Sequence, residues 1–320
     1  MQQMSLDRRE FQGVFGAIRD NVERVVQGKP REVELALVSL VAEGHLLIED
    51  VPGVGKTMLA KAIARSIDCS FRRIQFTPDL LPSDITGVNV YSPERGDFEF
   101  KPGAVFANIV LGDEINRASP KTQSALLESM EERQATVDGV SHQLAVPFMV
   151  LATQNPIEYE GTYPLPEAQL DRFMMRLSIG YPSPEAEAEI LATHGDGTRL
   201  DEIQPVADAV AVARLIRMAA GVHAAEPLRR YVVDLADATR RHPDLHLGAS
   251  PRASLMLLRA ARALAASRGR DFVTPDDVKH LAVQVMAHRL IPTGEAAMTG
   301  RTPAAVVGDL LQEVPVPVSG

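Results

Sequence analysis

Residues 46–67 combine a buried strand, a glycine-rich loop and an amphipathic helix, and this combination constrains the fold more than any other feature. The apolar run Leu46-Leu47-Ile48 predicts the strand, and apolar residues at helical spacing over 57–67 predict the helix. Between them lies Pro52-Gly53-Val54-Gly55-Lys56-Thr57. In a P-loop of this kind, backbone N–H groups surround phosphates, a lysine reaches their oxygens and a hydroxyl binds Mg²⁺. The sequence therefore predicts a site for ATP and Mg²⁺.

One position departs from the strict P-loop pattern, which begins with glycine. This chain has Asp50 there. Because Asp50 ends the predicted strand, we expect its side chain to point away from the phosphates.

Further strand patterns alternate with helical ones, which favours a doubly wound α/β fold with a parallel sheet. The other strands are predicted over residues 71–76, 109–114, 148–155 and 175–181, and helices over 31–43 and 120–133. Two hairpins interrupt the alternation. In the first, Val88 and Val90 are expected to face Phe98 and Phe100; the second turns at Asp138-Gly139.

Beyond residue 181 the patterns are helical only, which predicts a separate all-α lid domain. Its helices are predicted over residues 184–193, 209–220, 227–241, 251–267 and 275–289. Capping hydroxyls at Ser250 and Thr274 precede two of them. The predicted domains are a nucleotide-binding α/β domain over 1–183, the lid over 184–295 and a flexible C-terminal tail over 296–320.

Charge and cysteine content narrow the choice of partners and compartment. The chain has 33 basic and 42 acidic residues, a net charge of −9, which is unfavourable for binding nucleic acid. The only cysteine, Cys69, excludes an intrachain disulfide. No stretch is apolar and long enough to span a bilayer, and the first ten residues lack the apolar core of a signal peptide. We expect a cytoplasmic protein without direct membrane insertion.

Acidic and amide side chains end two of the predicted strands. The run Ile109-Val110-Leu111-Gly112-Asp113-Glu114 resembles a Walker B strand, which delivers carboxylates to the edge of a nucleotide site. Asp113 is expected to organise the Mg²⁺ shell, and Glu114 to act as general base on the attacking water. Asn155, at the end of the next strand, can position that water by hydrogen bonding.

Four motifs together resemble an AAA+ ATPase of the MoxR family, and the resemblance covers nearly the whole chain. They are the segments at residues 50–57, 75–84, 113–118 and 152–156: DVPGVGKT, QFTPDLLPSD, DEINRA and ATQNP. The resemblance implies that the hairpins are the helix-two and pre-sensor inserts of the clade that also holds magnesium chelatase and MCM motors.

The resemblance also implies roles for individual residues. Asn155 corresponds to sensor 1 and Arg252 to sensor 2, while Arg172 resembles the arginine finger that reaches a neighbouring subunit's γ-phosphate; Arg176 is the rival candidate. Arg252 is expected to complete the subunit's own site. The implied nucleotide contacts are Val26 and Gly28 at adenine, and Pro52, Gly53, Val54, Gly55, Lys56, Thr57 and Met58 at the phosphates.

Three functions share such an ATPase core. The first is a homo-oligomeric ring, with a hexamer expected, that remodels or matures client enzymes or complexes together with a von Willebrand factor A domain protein. The second is a DNA motor or transcription activator, against which the acidic charge counts. The third is a metal-chelatase motor subunit, which only the identity of the partner distinguishes from the first.

Overall fold

A five-stranded parallel sheet lies at the centre of the first part of the chain. The computed structural model describes residues 2–155, 161–185, 187–188 and 199–317. The strands of the sheet are β1 Leu46–Glu49, β2 Phe71–Gln75, β5 Ile109–Asp113, β8 Met149–Gln154 and β9 Met175–Leu177. The sheet order is β2-β5-β8-β1-β9, and neighbouring strands run parallel. The predicted α/β class is confirmed.

Helices surround the sheet and form the second part of the chain. In the first part they are α1 Gln2–Glu23, α2 Pro30–Val41, α3 Lys56–Ser66, α4 Pro82–Thr86, α5 Pro120–Glu132 and α6 Glu167–Leu170. In the second part they are α7 Ala209–Ala220, α8 Glu226–Arg241, α9 Pro251–Ser267, α10 Pro275–Met286, α11 Gly294–Met298 and α12 Pro303–Glu313. Short 3-10 turns cover Ile115–Arg117, Arg199–Asp201 and Ala287–Arg289. Most of the helix predicted over 184–193 lies outside the described residues.

Two hydrophobic clusters cover the two faces of the sheet. One joins the sheet to α5 and includes Phe76, Leu126 and Phe173. The other runs from the opposite face through α1 and α2 into the lid helices, so that Phe11 and Leu257 belong to the same core. The lid therefore shares a core with the N-terminal helices, and the division at residue 183 stays a prediction.

Both predicted hairpins are present, and they touch each other. They are formed by β3 Gly87–Ser92 with β4 Asp97–Pro102, and by β6 Gln134–Val137 with β7 Val140–Gln143. The rings of Phe100 and His142 stack at 3.8 Å between centroids. Asn89 Nδ2 donates to Asp138 Oδ2 at 2.8 Å. A single composite surface results. Strands β10 Leu245–Leu247 and β11 Ile291–Pro292 form a small ribbon in the lid.

The expected facing of side chains in the first hairpin is wrong. Its four-residue turn pairs Ser92 with Asp97, so that Val88 lies opposite Lys101 and Val90 opposite Glu99. A shift of one residue moves every side chain to the other face of a strand. Tyr91, not Val90, therefore lies opposite Phe98, with the ring centroids 5.6 Å apart.

The flexible tail predicted over residues 296–320 is also wrong for most of its length. Helix α12 buries Val306, Val307, Leu310 and Leu311, and the Thr302 hydroxyl accepts from the Ala305 N–H at its start. These apolar residues have helical spacing, and they pack onto the lid core. Residues 318–320 lie outside the described part.

Helix α1 is an element that the sequence patterns above did not identify. It buries Phe11, Phe15, Ile18 and Val22, which recur at intervals of three or four residues. Among the residues that the structure describes, no helix is both long and apolar enough to cross a bilayer.

A buried histidine just before β1 makes hydrogen bonds to β8 and α5. His45 is 5% exposed, and its Nδ1 accepts from the Val150 N–H at 3.0 Å. Since Nδ1 is the acceptor, Nε2 carries the proton and donates to the Met130 carbonyl at 3.1 Å. Burial lowers the pKa of His45 to about 4. The folded protein therefore holds this ring neutral at pH 7.

This histidine makes the unfolding free energy depend on pH. Below about pH 6.5 the unfolded chain binds a proton that folded His45 refuses until about pH 4, so stability falls over that window. The expected loss is about 3 kcal/mol. His45→Gln should reduce, without abolishing, the pH dependence of urea unfolding measured from pH 7 to 4.5, because burial also lowers the pKa of His288. His246→Gln, at an exposed position, is the control and should leave it unchanged; equal slopes in both variants would contradict the assignment.

Candidate active site

A cavity of about 420 Å³ opens at the carboxyl ends of the parallel strands. Ligands of open α/β sheets bind at this edge. Most of the residues predicted from the motifs line this cavity. Three other residues, Arg73, Gln75 and Thr153, also line it, although the sequence motifs assigned them no role. The lining consists of Pro52, Gly53, Gly55, Lys56, Thr57, Met58, Arg73, Gln75, Asp113, Glu114, Thr153 and Asn155.

The loop between β1 and α3 has the shape of a phosphate cradle. Gly53 and Gly55 have φ of 86° and 94°, values that glycine adopts without strain, and a Cβ on either would meet open space. Helix α3 begins at Lys56, so its free N–H groups point into the cavity. Burial lowers the pKa of Lys56, opposed by Asp50, Asp113 and Glu114. These groups fit the phosphates of a nucleotide.

Asp50 explains the departure from the strict P-loop pattern. Its Oδ2 accepts from the N–H groups of Ile179 and Gly180 at 2.5 and 2.8 Å, so the side chain points away from the loop, as predicted. Its carbonyl accepts from Lys56 Nζ at 2.6 Å. Asp50 thus ties the start of the loop to the segment after β9.

Asp113 is held by the strand next to its own. Thr153 Oγ1 donates to Asp113 Oδ1 at 2.6 Å and accepts from the Glu114 N–H at 2.9 Å. Thr153 is 1% exposed, which leaves it little freedom to move. The Asp113 carboxylate and the Thr57 hydroxyl line the same cavity and are the hard oxygen ligands that Mg²⁺ prefers. The donor set fits that ion.

Glu114 adopts a backbone conformation that is costly for a residue with a side chain. Its φ of 57° and ψ of 49° are left-handed, and such a conformation persists only where surrounding contacts enforce it, often at functional sites. The carboxylate accepts from Gln75 Nε2 at 2.9 Å and from Arg117 Nη1 at 3.3 Å. It is thus held at the edge of the cavity.

Arg73 and Gln75 project from the same face of β2 and connect the two acids. Arg73 Nη2 donates to Asp113 Oδ2 at 2.5 Å and to Gln75 Oε1 at 2.9 Å. A guanidinium only donates and a carboxylate only accepts. The Gln75 oxygen must therefore face Arg73, and its NH₂ must face Glu114. The four side chains form one chain of hydrogen bonds.

Arg172 and Arg252 lie together in a second cavity, of about 210 Å³. Arg172 Nε is 3.1 Å from Glu131 Oε2, and Arg252 Nη2 pairs with the other oxygen of the same carboxylate. Neither arginine is among the described residues that line the P-loop cavity. Arg252 thus pairs with Glu131 at the end of α5, outside the lining of the subunit's own cavity, and its catalytic role stays a prediction.

The segment that carries Arg172 is fixed by the lid. Arg289, 4% exposed, donates from Nε to Asp171 Oδ1 at 2.7 Å and from Nη2 to the Phe173 carbonyl at 2.5 Å. Ser250, the residue that caps α9, donates to Asp171 Oδ2 at 3.1 Å. Arg172 and Arg252 therefore lie at one hydrogen-bonded junction between the two parts of the chain.

The remaining predicted residues are not among the described residues that line the P-loop cavity. Val26 is buried in the core, Gly28 is left-handed with φ of 70°, and Val54 packs against the same core. Contact of Val26 and Gly28 with adenine stays a prediction. Arg176 Nη1 lies 3.0 Å from Glu49 Oε2, at the end of β1.

Comparison with known proteins gives the same picture. Residues 45–175 match the family described as "ATPase family associated with various cellular activities (AAA)", and residues 237–310 match the AAA lid domain. The chain is 49% identical to the uncharacterized protein YeaC of Bacillus subtilis, over 95% of both chains. It is 44% identical to the chaperone MoxR1 of Mycobacterium tuberculosis, over 92% of this chain and 80% of that one. The crystal structure of a candidate ATPase from Cytophaga hutchinsonii superposes with a TM-score of 0.92 and 37% identity, over 99% of both chains.

Proposed function

This chain belongs to the MoxR family of AAA+ ATPases, and we propose that it hydrolyses ATP as a homo-oligomeric ring in order to remodel or mature client protein complexes. The positions of Arg172 and Arg252 are the observation that supports a ring. Both share Glu131 outside the subunit's own cavity. An arginine that stabilises transition-state charge must reach the phosphates, so these two need a neighbour's nucleotide.

The reaction follows from the groups in the cavity. The P-loop N–H groups and Lys56 would bind the phosphates, and Thr57 and Asp113 would hold Mg²⁺. When bound, this ion supplies positive charge at the phosphate oxygens. Glu114 accepts a proton from water oriented by Asn155. The oxygen of that water forms a bond to the γ-phosphorus, the bond from this phosphorus to the oxygen bridging the β- and γ-phosphates breaks, and ADP and inorganic phosphate are released.

The proposal of a client and a partner protein rests on similarity to named relatives. The name of the M. tuberculosis relative contains the word chaperone, which favours protein remodelling. A hexameric ring, a von Willebrand factor A domain partner and a cytoplasmic location belong to the same proposal. The lone Cys69 is compatible with a reducing compartment.

Mixing inactive variants tests the shared site. Arg172→Ala should bind ATP normally but lose turnover about a hundredfold or more, because it removes the positive charge offered to a neighbour's γ-phosphate. Adding Glu114→Gln protein should restore phosphate release, since about a quarter of the interfaces in random rings then combine an intact Glu114 with an intact Arg172.

Two further arginine variants sharpen that experiment. Arg252→Ala should be rescued in the same way if it acts on the neighbour, and should not be rescued if it acts within its own subunit. Arg176→Ala, mixed with Glu114→Gln protein in the same way, decides whether Arg172 or Arg176 is the arginine finger. Absence of rescue for Arg172→Ala, or activity of a strictly monomeric enzyme, would contradict the ring.

A further inference from the structure

Arg73 forms an ion pair with Asp113, the acid expected to hold the metal. Its Nη2 and Nε lie 2.5 and 3.2 Å from Asp113 Oδ2, while Thr153 occupies Oδ1. The side chain of Asp113 is 17% exposed and that of Arg73 49%. Both oxygens of Asp113 are thus engaged before any ion arrives.

Stability does not account for this ion pair. A pair with one half-exposed partner contributes about 0–1 kcal/mol, and removing a guanidinium at the surface leaves no buried cavity. Without Arg73, however, Asp113 would lie beside Glu114 with only the more distant Lys56 ammonium, among the described residues lining the cavity, to offset its charge. The arginine offsets charge in a cavity that has to accept phosphates as well as a metal.

A divalent ion and a guanidinium cannot share Asp113 Oδ2 without strong repulsion. We propose that Arg73 is a positioning residue that acts as the resident counter-ion of Asp113 and that the metal must displace it on binding. This inference rests on the proposed Mg²⁺ site and adds a competitor to it. Displacement also removes the donor to Gln75 Oε1, while Gln75 Nε2 keeps its hydrogen bond to Glu114.

Binding of Mn²⁺, measured by electron paramagnetic resonance with a non-hydrolysable ATP analogue, tests the competition. Arg73→Gln should bind Mn²⁺ about tenfold more tightly, because one competing positive charge is removed within a few ångströms of the ion. Arg72→Gln is the matched control. Arg72 is exposed on the opposite face of the same strand, so this variant loses the same charge and should bind Mn²⁺ like the original protein.

A third variant separates failure of this inference from failure of the metal site. Asp113→Asn should weaken Mn²⁺ binding strongly; if it does not, the proposed metal site is wrong. If Asp113→Asn weakens binding while Arg73→Gln matches Arg72→Gln or binds Mn²⁺ less tightly, the metal site stands and the role of Arg73 is refuted.

Discussion

Replacing Lys56 with alanine is expected to lower ATP hydrolysis by a hundredfold or more and to weaken ATP binding strongly. Lys56 lines the cavity at the start of α3, where its ammonium is partly removed from water. A charge in such a site interacts with phosphates more strongly than it would in bulk water. Calorimetric titration with ATP and assay of phosphate release measure the two effects.

Lys61→Ala is the control for that variant. Lys61 is on the same helix but is absent from the described lining of the P-loop cavity. The substitution removes the same charge and should change ATP binding less than about threefold, because a partly exposed charge at a distance is screened. Hydrolysis by Lys56→Ala at the original rate would exclude this cavity as the ATP site.

The central strands and the loop between them could be predicted from the sequence because their signals are local. The run Leu46-Leu47-Ile48 is apolar since the strand is covered on both faces, and the glycines of the loop are required where they stand. Asp113 ends β5 and Asn155 directly follows the neighbouring parallel strand β8, which brings both to one edge of the sheet. Predictions of this kind need no knowledge of distant contacts.

Other parts of the site depend on contacts that no local pattern reveals. The partner of Asp50 is about 130 residues away along the chain, and the role of Arg73 appears only once β2 is known to pair with β5. Gln75 and Thr153 stand in the recognised motifs, so their presence was visible but their hydrogen bonds were not. The position of Arg252 beside Glu131 likewise follows from packing of the lid.

Helices α1 and α12 differ from these cases, because their signals were local. The spacing of Phe11, Phe15, Ile18 and Val22 is helical, as is that of the apolar residues after Pro303. Whether these segments form ordered helices depends on burial against the shared core. An amphipathic stripe near a chain end becomes a stable helix when a partner surface covers it.

Glu114→Gln is expected to reduce turnover by about 10²–10⁴ while leaving ATP bound. Glutamine has the same shape but cannot accept the proton of the attacking water. The contact with Arg117 Nη1 can persist, because the amide oxygen is still an acceptor. Retention of labelled ATP by the isolated protein, beside assay of phosphate release, separates loss of chemistry from loss of binding.

The same variant tests whether bound ATP favours assembly. If a neighbour's Arg172 and Arg252 contact the γ-phosphate, a subunit that keeps ATP keeps that contact, and mass photometry should show a species of about six chains that disappears when ADP replaces ATP. Glu128→Gln, at an exposed position of α5, makes the same change away from the cavity and should hydrolyse ATP normally. If Glu114→Gln retains ATP but stays monomeric, the ring is refuted and the catalytic role of Glu114 is not. Proton transfer to Glu114 needs no neighbouring subunit, whereas Arg172 and Arg252, which pair with Glu131, need a neighbour's nucleotide to act on.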